Sequence, residues 1–381
     1  MENDYRIWQR KSDGFYEGRI TVNGRQISRY GKTEDIVVAK LEKIKKEADK
    51  GSVIETKIRL DKALKSYLGT VKQSKVKPST YDRLECTLNN QIMNTSLGRR
   101  QVSSIKPHDI QGYLLELTKT LSVSSVKKVY NLLGEFFRYM VAIQLLAYNP
   151  MLLVEMPHSS LFAKQPKEMH VLTTDEMARV IEVAEQHKQD GSLLYKYGEA
   201  IVLLLLTGLR SGEIRAIRSQ DIDLKDKVLH VNMNICHHKD RINGGVVDTL
   251  STPKTRKSQR SIPLSDRAIT AINRLMATTY SSKHDLLIST ESGGILSNQY
   301  FELTYSRILK RAGIEHMGLH STRHSFATVV LKDAEEKGQI KEVSELLGHS
   351  QVSTTYEYYI KTDNKDKRAL VQSLDTIIKA G

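Results

Sequence analysis

The chain has 381 residues, 39% hydrophobic and 27% charged, with a mean hydropathy of −0.40, which is enough for two or three domains and fits a soluble protein. Lysine and arginine outnumber the acids 58 to 44, and the formal charge of +14 points to a polyanionic partner: DNA, RNA or an anionic membrane surface. Cys86 and Cys236 give no disulfide framework, MENDYRIWQRK lacks the apolar core of a secretion signal, and the longest aliphatic run, AIVLLLL at 200–206, is too short to span a bilayer, so a cytoplasmic protein is expected.

The first 32 residues read as β. A turn signal at Asp13-Gly14 and a hairpin signal at Asn23-Gly24 set strands near 15–22 and 25–30, with a third at 5–11. These strands carry Arg6, Arg10, Lys11, Arg19, Arg25 and Arg29; such a sheet can lie in a DNA major groove or simply present a solvated face. Thr33 reads as an N-cap, followed by Glu34 and Asp35 and by apolar residues at helical spacing from Ile36 to Ala48.

Residues 57–150 read as helical. Helix starts are expected after Pro78 and Lys106-Pro107, and the helix SVSSVKKVYNLLGEFFRYMVAI carries a predicted seam of Val126, Tyr130, Leu133, Phe137 and Val141. Asn149-Pro150 ends the pattern, and the aperiodic stretch 152–171, with Pro157 and Pro166, reads as a linker. A capping box at Thr173-Thr174-Asp175-Glu176 opens a third region of helices to about 218. Strands follow at DIDL, KVLHVNM and RSIPL, separated by an expected loop at 235–257, and helices then resume. Cys236, His237 and His238 in that loop lack the second ligand pair that a metal site needs.

Four stretches of this region could carry chemistry, although each alone also fits a structural role. In LLLLTGLRSGEIRAI, Arg210 follows a break at Gly208, and Glu213 is placed to orient its guanidinium. STPKTRKSQRSIPL puts Lys254, Arg256, Lys257 and Arg260 at a basic β-turn. GLHSTRHSFATVVL spaces His320 and Arg323 on one face of a helix start. In LLGHSQVSTTYEYYIK, Gly348 ends one helix before His349, and Thr354-x-x-Glu357 opens the next. There Tyr356, Tyr359 and Ile360 share a face, while Tyr358 lies roughly 200° round from Tyr356.

Taken in order, Arg, a hairpin Lys, H-x-x-R, G-H and then a Tyr nine residues beyond that His resemble the tyrosine recombinase (phage integrase) family, and the basic front and helical middle resemble integrases of conjugative transposons and temperate phages. The resemblance implies an arm-type DNA-binding domain at 1–55, a core-binding helical domain at 56–151, the linker 152–171, and a mixed α+β catalytic domain at 172–381 with a C-terminal tail helix. The expected fold class is thus multidomain and mainly α with small β-sheets. By the same resemblance Arg210 and Arg323 would bind the scissile phosphate, His320 would assist proton transfer or phosphate binding, His349 would donate to the phosphate, and Lys254 would be the general acid. Glu213 would support the site, Arg256 and Lys257 would contact DNA, and Tyr358 would attack phosphorus.

The reaction implied is integration and excision of a mobile element through a 3′-phosphotyrosine link. It takes no metal and no ATP, because fixed cations can stabilise the transition state and the covalent link keeps the bond energy for rejoining. The implied partners are double-stranded DNA with arm and core sites, further copies of the chain as a synaptic tetramer, and accessory DNA-bending or excision-directing proteins, with no membrane. A type IB topoisomerase would use the same residue types, and a DNA-binding regulator would use the tyrosines only for packing.

Overall fold

The computed structural model describes residues 5–22, 25–49, 58–165, 170–252, 259–278, 280, 282, 284–336 and 340–348. Lys254, Arg256, Lys257, His349, Tyr358 and the tail at 366–381 lie outside the described residues, as does the turn at Asn23-Gly24. The chain divides into two units, Met1–Lys167 and Glu168–Gly381, and is mainly helical with small antiparallel sheets.

Unit one begins with the antiparallel sheet β1 (Tyr5–Gln9), β2 (Tyr16–Val22) and β3 (Arg25–Gly31), followed by α1 (Glu34–Asp49). Because side chains alternate along a strand, the pairing sorts residues by face. Ile7, Gly18, Ile20 and Ile27 fall on the α1 side, where Ile20 packs with Val37 and Leu41. Arg29 pairs with Gly18 and so belongs to that side. Arg6 pairs with Arg19 and shares the opposite face with Trp8 and Tyr30, so the expected basic face is narrower than the count of arginines suggested.

The helical part follows as α2 (Leu60–Tyr67), running into a π-helical turn at Leu68–Lys72, then α3 (Pro78–Gln91), α4 (Pro107–Thr118) and α5 (Val123–Ala142). Pro78 and Pro107 sit at first helical positions, where the missing N–H costs nothing. The buried face of α5 is wider than its predicted seam: Val126, Leu133 and Phe137 are joined by Val129, Leu132, Phe136 and Met140, while Tyr130 and Val141 are only half-buried. The stretch read as a linker contains the boundary between the two units, and its part up to Gln165 packs on the helical core. Val154 and Phe162 join the helical core, and Ala163 N–H donates to the Thr118 carbonyl. Single apolar anchors hold it, and these leave no period to read.

Unit two opens with α6 (Thr174–Ala184), whose capping box forms as predicted between Thr173 and Glu176. The central helix is α7 (Gly198–Thr207), buried along almost its whole length among α6, α9 (Asp266–Thr278), α10 (Asn298–Arg311) and α11 (His320–Glu336), which is why its run Ala200–Leu206 is apolar all round, while buried Glu199 in its first turn pairs with Arg274. Two-residue β4 (Ile222–Asp223), β5 (Val228–Val231) and β8 (Arg260–Pro263) form one sheet, in that order. The expected loop at 235–257 is, as far as it is described, a second hairpin: β6 (Asn234–Lys239) pairs with β7 (Val246–Ser251). Its turn is set by Asp240, which accepts from the Ile242 and Asn243 N–H groups, and by the positive φ of Gly244 and Gly245. Polar residues on these strands hid them from a reading based on apolar alternation.

Gly208 ends α7 in the left-handed conformation (φ 63°), and a Cβ there would lie 2.3 Å from the Phe326 ring. Both demands exclude a side chain. Gly208→Ala should therefore cost about 2–5 kcal/mol, the sum of left-handed backbone strain and overpacking. Denaturant unfolding would check this.

Candidate active site

The site is assembled at the ends of three helices. The chain leaves α7 at Gly208, and Arg210 precedes the single-turn helix α8 (Ser211–Ile214). α8 lies close on β6, for a Cβ at Gly212 would stand 2.4 Å from Asn234 Oδ1. Glu213 is buried and accepts four hydrogen bonds. Arg210 gives its backbone N–H (2.9 Å) and Nη1 (2.7 Å), and Arg260 gives Nη1 (3.0 Å) and Nη2 (2.9 Å). Burial opposes ionisation of this carboxyl, but the hydrogen bonds and charge of Arg260, with the charge of Arg210, outweigh it and hold the pKa at about 2.

From α11 come His320 and Arg323. Arg323 is buried and donates Nη1 to the Gly208 carbonyl at 2.7 Å and Nη2 to the Leu347 carbonyl, at the last residue of α12 (Ile340–Leu347). One guanidinium therefore ties the end of α7, next to Arg210, to the end of α12, next to Gly348 and His349. His320 keeps an exposed side and packs edge-on against His324, with ring centroids 4.5 Å apart. His324 thus lies beside His320. Desolvation, then the charges of Arg323 and Arg210, lower the His320 pKa against the opposing pull of Glu213, so the imidazole is neutral at neutral pH. Ser321 and Thr322 between them are buried and bonded, to the Tyr305 hydroxyl (3.1 Å) and the Leu319 carbonyl (2.7 Å). Burial pushes the Tyr305 phenol up to about 12, so it stays protonated.

The structure thus brings Arg210, Glu213, His320 and Arg323 together. The buried role of Arg260 was not foreseen. Its side chain is 5% exposed against 35% for Arg210, and it stands on β8 with Ile262, two residues on, facing the core. That parity was readable in RSIPL, since an arginine in register with inward-facing Ile and Leu needs a buried acid. His237 and His238 pair with Asp248 (2.9 Å) and Thr249 (3.1 Å), and no cluster of metal-ligating side chains occurs among the described residues.

In unit one, the exposed face of the N-terminal sheet stacks cations on aromatic rings. Arg19 Cζ lies 4.8 Å from the Trp8 centroid, and Arg10 Cζ lies 5.4 Å from that of Tyr30. Lys11, next to Arg10 in sequence, is exposed. No helix among the described residues is long and apolar enough to cross a membrane.

Known proteins share this architecture. The chain is 27% identical to the XerC-like tyrosine recombinase of Caldanaerobacter subterraneus subsp. tengcongensis, over 95% of this chain and 96% of that one. Among solved structures it superposes with TM-score 0.68 on the Tn1549 transposon integrase bound to circular intermediate DNA, at 20% identity over 83% of this chain and 99% of that one. It superposes with TM-score 0.57 on a lambda integrase dimer bound to a core site, at 16% identity over 96% of this chain and 98% of that one. These two share its fold. The model of the phage integrase family matches residues 170–365, the segment that holds the four converging side chains; the chain belongs to the phage integrase family of tyrosine recombinases.

Proposed function

We propose that this protein is a site-specific DNA recombinase that integrates and excises a mobile element through a 3′-phosphotyrosine intermediate. The convergence of Arg210, His320 and Arg323 around buried Glu213 is the observation that supports this most, because a phosphodiester under attack spreads negative charge over its equatorial oxygens. Arg210, with its open side, and Arg323, held between two carbonyls, carry that charge, joined by His349. The Tyr358 oxygen bonds to phosphorus as the bond to the 5′-oxygen breaks, and Lys254 gives the leaving oxygen its proton. Neutral His320 takes the tyrosine proton or holds a phosphate oxygen. A 5′-hydroxyl from the partner strand then displaces the tyrosine, so the second step returns the first bond without ATP.

The protein acts in the cytoplasm on double-stranded DNA. The face holding Arg6, Arg10, Lys11 and Arg19 reads arm sites, and the helical part and the catalytic domain, with Arg256 and Lys257, grip core sites. Four copies form the synapse. Mixing the full chain with nicked duplexes selected for binding to it tests the reading. A protein–DNA adduct that survives denaturant is expected, and its absence from every bound duplex would overturn it. Affinity should also drop by at least about 10³-fold between 50 and 200 mM salt, as released counterions demand. Binding titrations at the two concentrations measure it, and a flat response excludes nucleic acid as the partner.

A further inference from the structure

Glu213 meets two arginines that differ in one respect. Arg210 keeps an open side, whereas Arg260 is enclosed, with all three of its guanidinium nitrogens engaged: Nη1 and Nη2 on Glu213, and Nε on the Leu346 carbonyl at 2.7 Å. The charge arithmetic is simple. A carboxylate paired with Arg210 alone would cancel it, leaving a dipole where the reaction needs a cation. Arg260 supplies the second positive charge, so the trio keeps a net charge of one, carried on the side that Arg210 leaves open. The bond to Leu346 has a second effect. Arg260 holds the carbonyl of Leu346 and Arg323 that of the next residue, so two buried arginines grip the end of α12 just before Gly348 and His349. Arg260 also opens β8, directly after the stretch that contains Lys254.

We infer that Arg260 is a positioning residue for strand cleavage: through Glu213 it orients Arg210 and preserves its charge for the phosphate, and through Leu346 it fixes the end of α12 that leads to His349. This rests on the recombinase reading above. Arg260 does not touch DNA; it acts on groups that do. Its removal should therefore slow cleavage and spare binding, which is spread over many phosphate contacts.

The test uses the full chain and the nicked duplex selected by the wild type. Arg260→Met, which keeps bulk and loses charge, should lower the rate of adduct formation about a hundredfold, the scale of a small misplacement, with duplex affinity within about twofold of wild type. Two readouts separate positioning from support of the fold. The double variant R260M/E213Q removes the now uncompensated carboxylate, and should recover about tenfold of the lost rate. The ratio of the R260M rate to the wild-type rate should likewise rise as pH falls from about 8 to about 5. The charged or titratable groups that act on Glu213 are Arg210, just before α8, Arg260 on β8 and His320 on α11; the one acid of α7, Glu199, lies at its far end and pairs with Arg274. Without Arg260 the buried carboxyl rises, and once protonated it stops cancelling Arg210; His320 also responds to Glu213 and Arg210, so the R260M ratio is read against that of Arg260→Lys, which keeps the charge.

Arg260→Lys keeps the charge without the fork, so it should stay folded, lose about tenfold in rate and show a pH-independent ratio. R260K at the wild-type rate, or R260M with a pH-independent ratio and no recovery in the double variant, would overturn the inference. A wild-type protein that forms no adduct would instead remove the recombinase reading itself.

Discussion

Tyr358→Phe should eliminate the covalent protein–DNA adduct entirely while leaving duplex affinity unchanged. Phenylalanine removes one oxygen, the atom proposed to bond to phosphorus, and none of the basic groups that release counterions. Tyr359→Phe is the matched control and should form the adduct normally, because the sequence spacing alone predicts a packing role for Tyr359 with Tyr356 and Ile360, which lie outside the described residues. The measurement is a denaturing gel of the full chain with labelled nicked duplex, beside a native binding titration. An adduct that persists in Tyr358→Phe and vanishes in Tyr359→Phe would move the nucleophile by one residue. Tyr305 cannot substitute: it is fully buried, bonded to Ser321, and holds its proton to a pH of about 12.

Replacing Glu213 with alanine should destabilise unit two by about 3–5 kcal/mol, a fall in Tm of roughly 6–20 °C, because Arg260 would be left buried without its counter-charge. Calorimetry checks the size of the loss. The pH dependence checks its origin. Folding lowers this carboxyl from 4.5 to about 2, so the unfolded chain takes up the proton first as acid is added. The stabilisation is complete above about pH 4.5 and disappears as pH falls toward 2. Glu213→Gln should flatten that part of the acid-unfolding curve, and an unchanged curve would show that the carboxylate is not the group responsible. A substitution made to abolish cleavage at this position will therefore also lower stability, and rates must be compared at equal folded fraction.

Much of the fold was legible because its signals are local. The capping box at Thr173 and Glu176, the prolines that open α3 and α4, and the strand pattern around Asn23-Gly24 each act within a few residues. The β6–β7 hairpin was missed because its strands carry histidine, threonine and aspartate whose partners lie across the ladder, as His237 meets Asp248. The packing of the linker stretch after Met151 left no local signal, because its anchors, Val154 and Phe162, follow no period.

Arg210, Glu213, His320 and Arg323 could be picked out in the chain through its resemblance to the tyrosine recombinases, and the fold brings these four together; Lys254, His349 and Tyr358 lie outside the described residues. The sequence likewise determined the buried central helix: a run apolar on every side has no stable place but a core. Only the tertiary structure decided how charge is distributed among these groups. It buried Arg260 and left Arg210 open, set Arg323 between the carbonyls of Gly208 and Leu347, and placed Arg29 on the α1 side of its sheet. Whether an arginine becomes an internal counter-ion or a free-facing cation depends on which acid and which carbonyls the fold brings within 3 Å of it, and no local pattern records those distances.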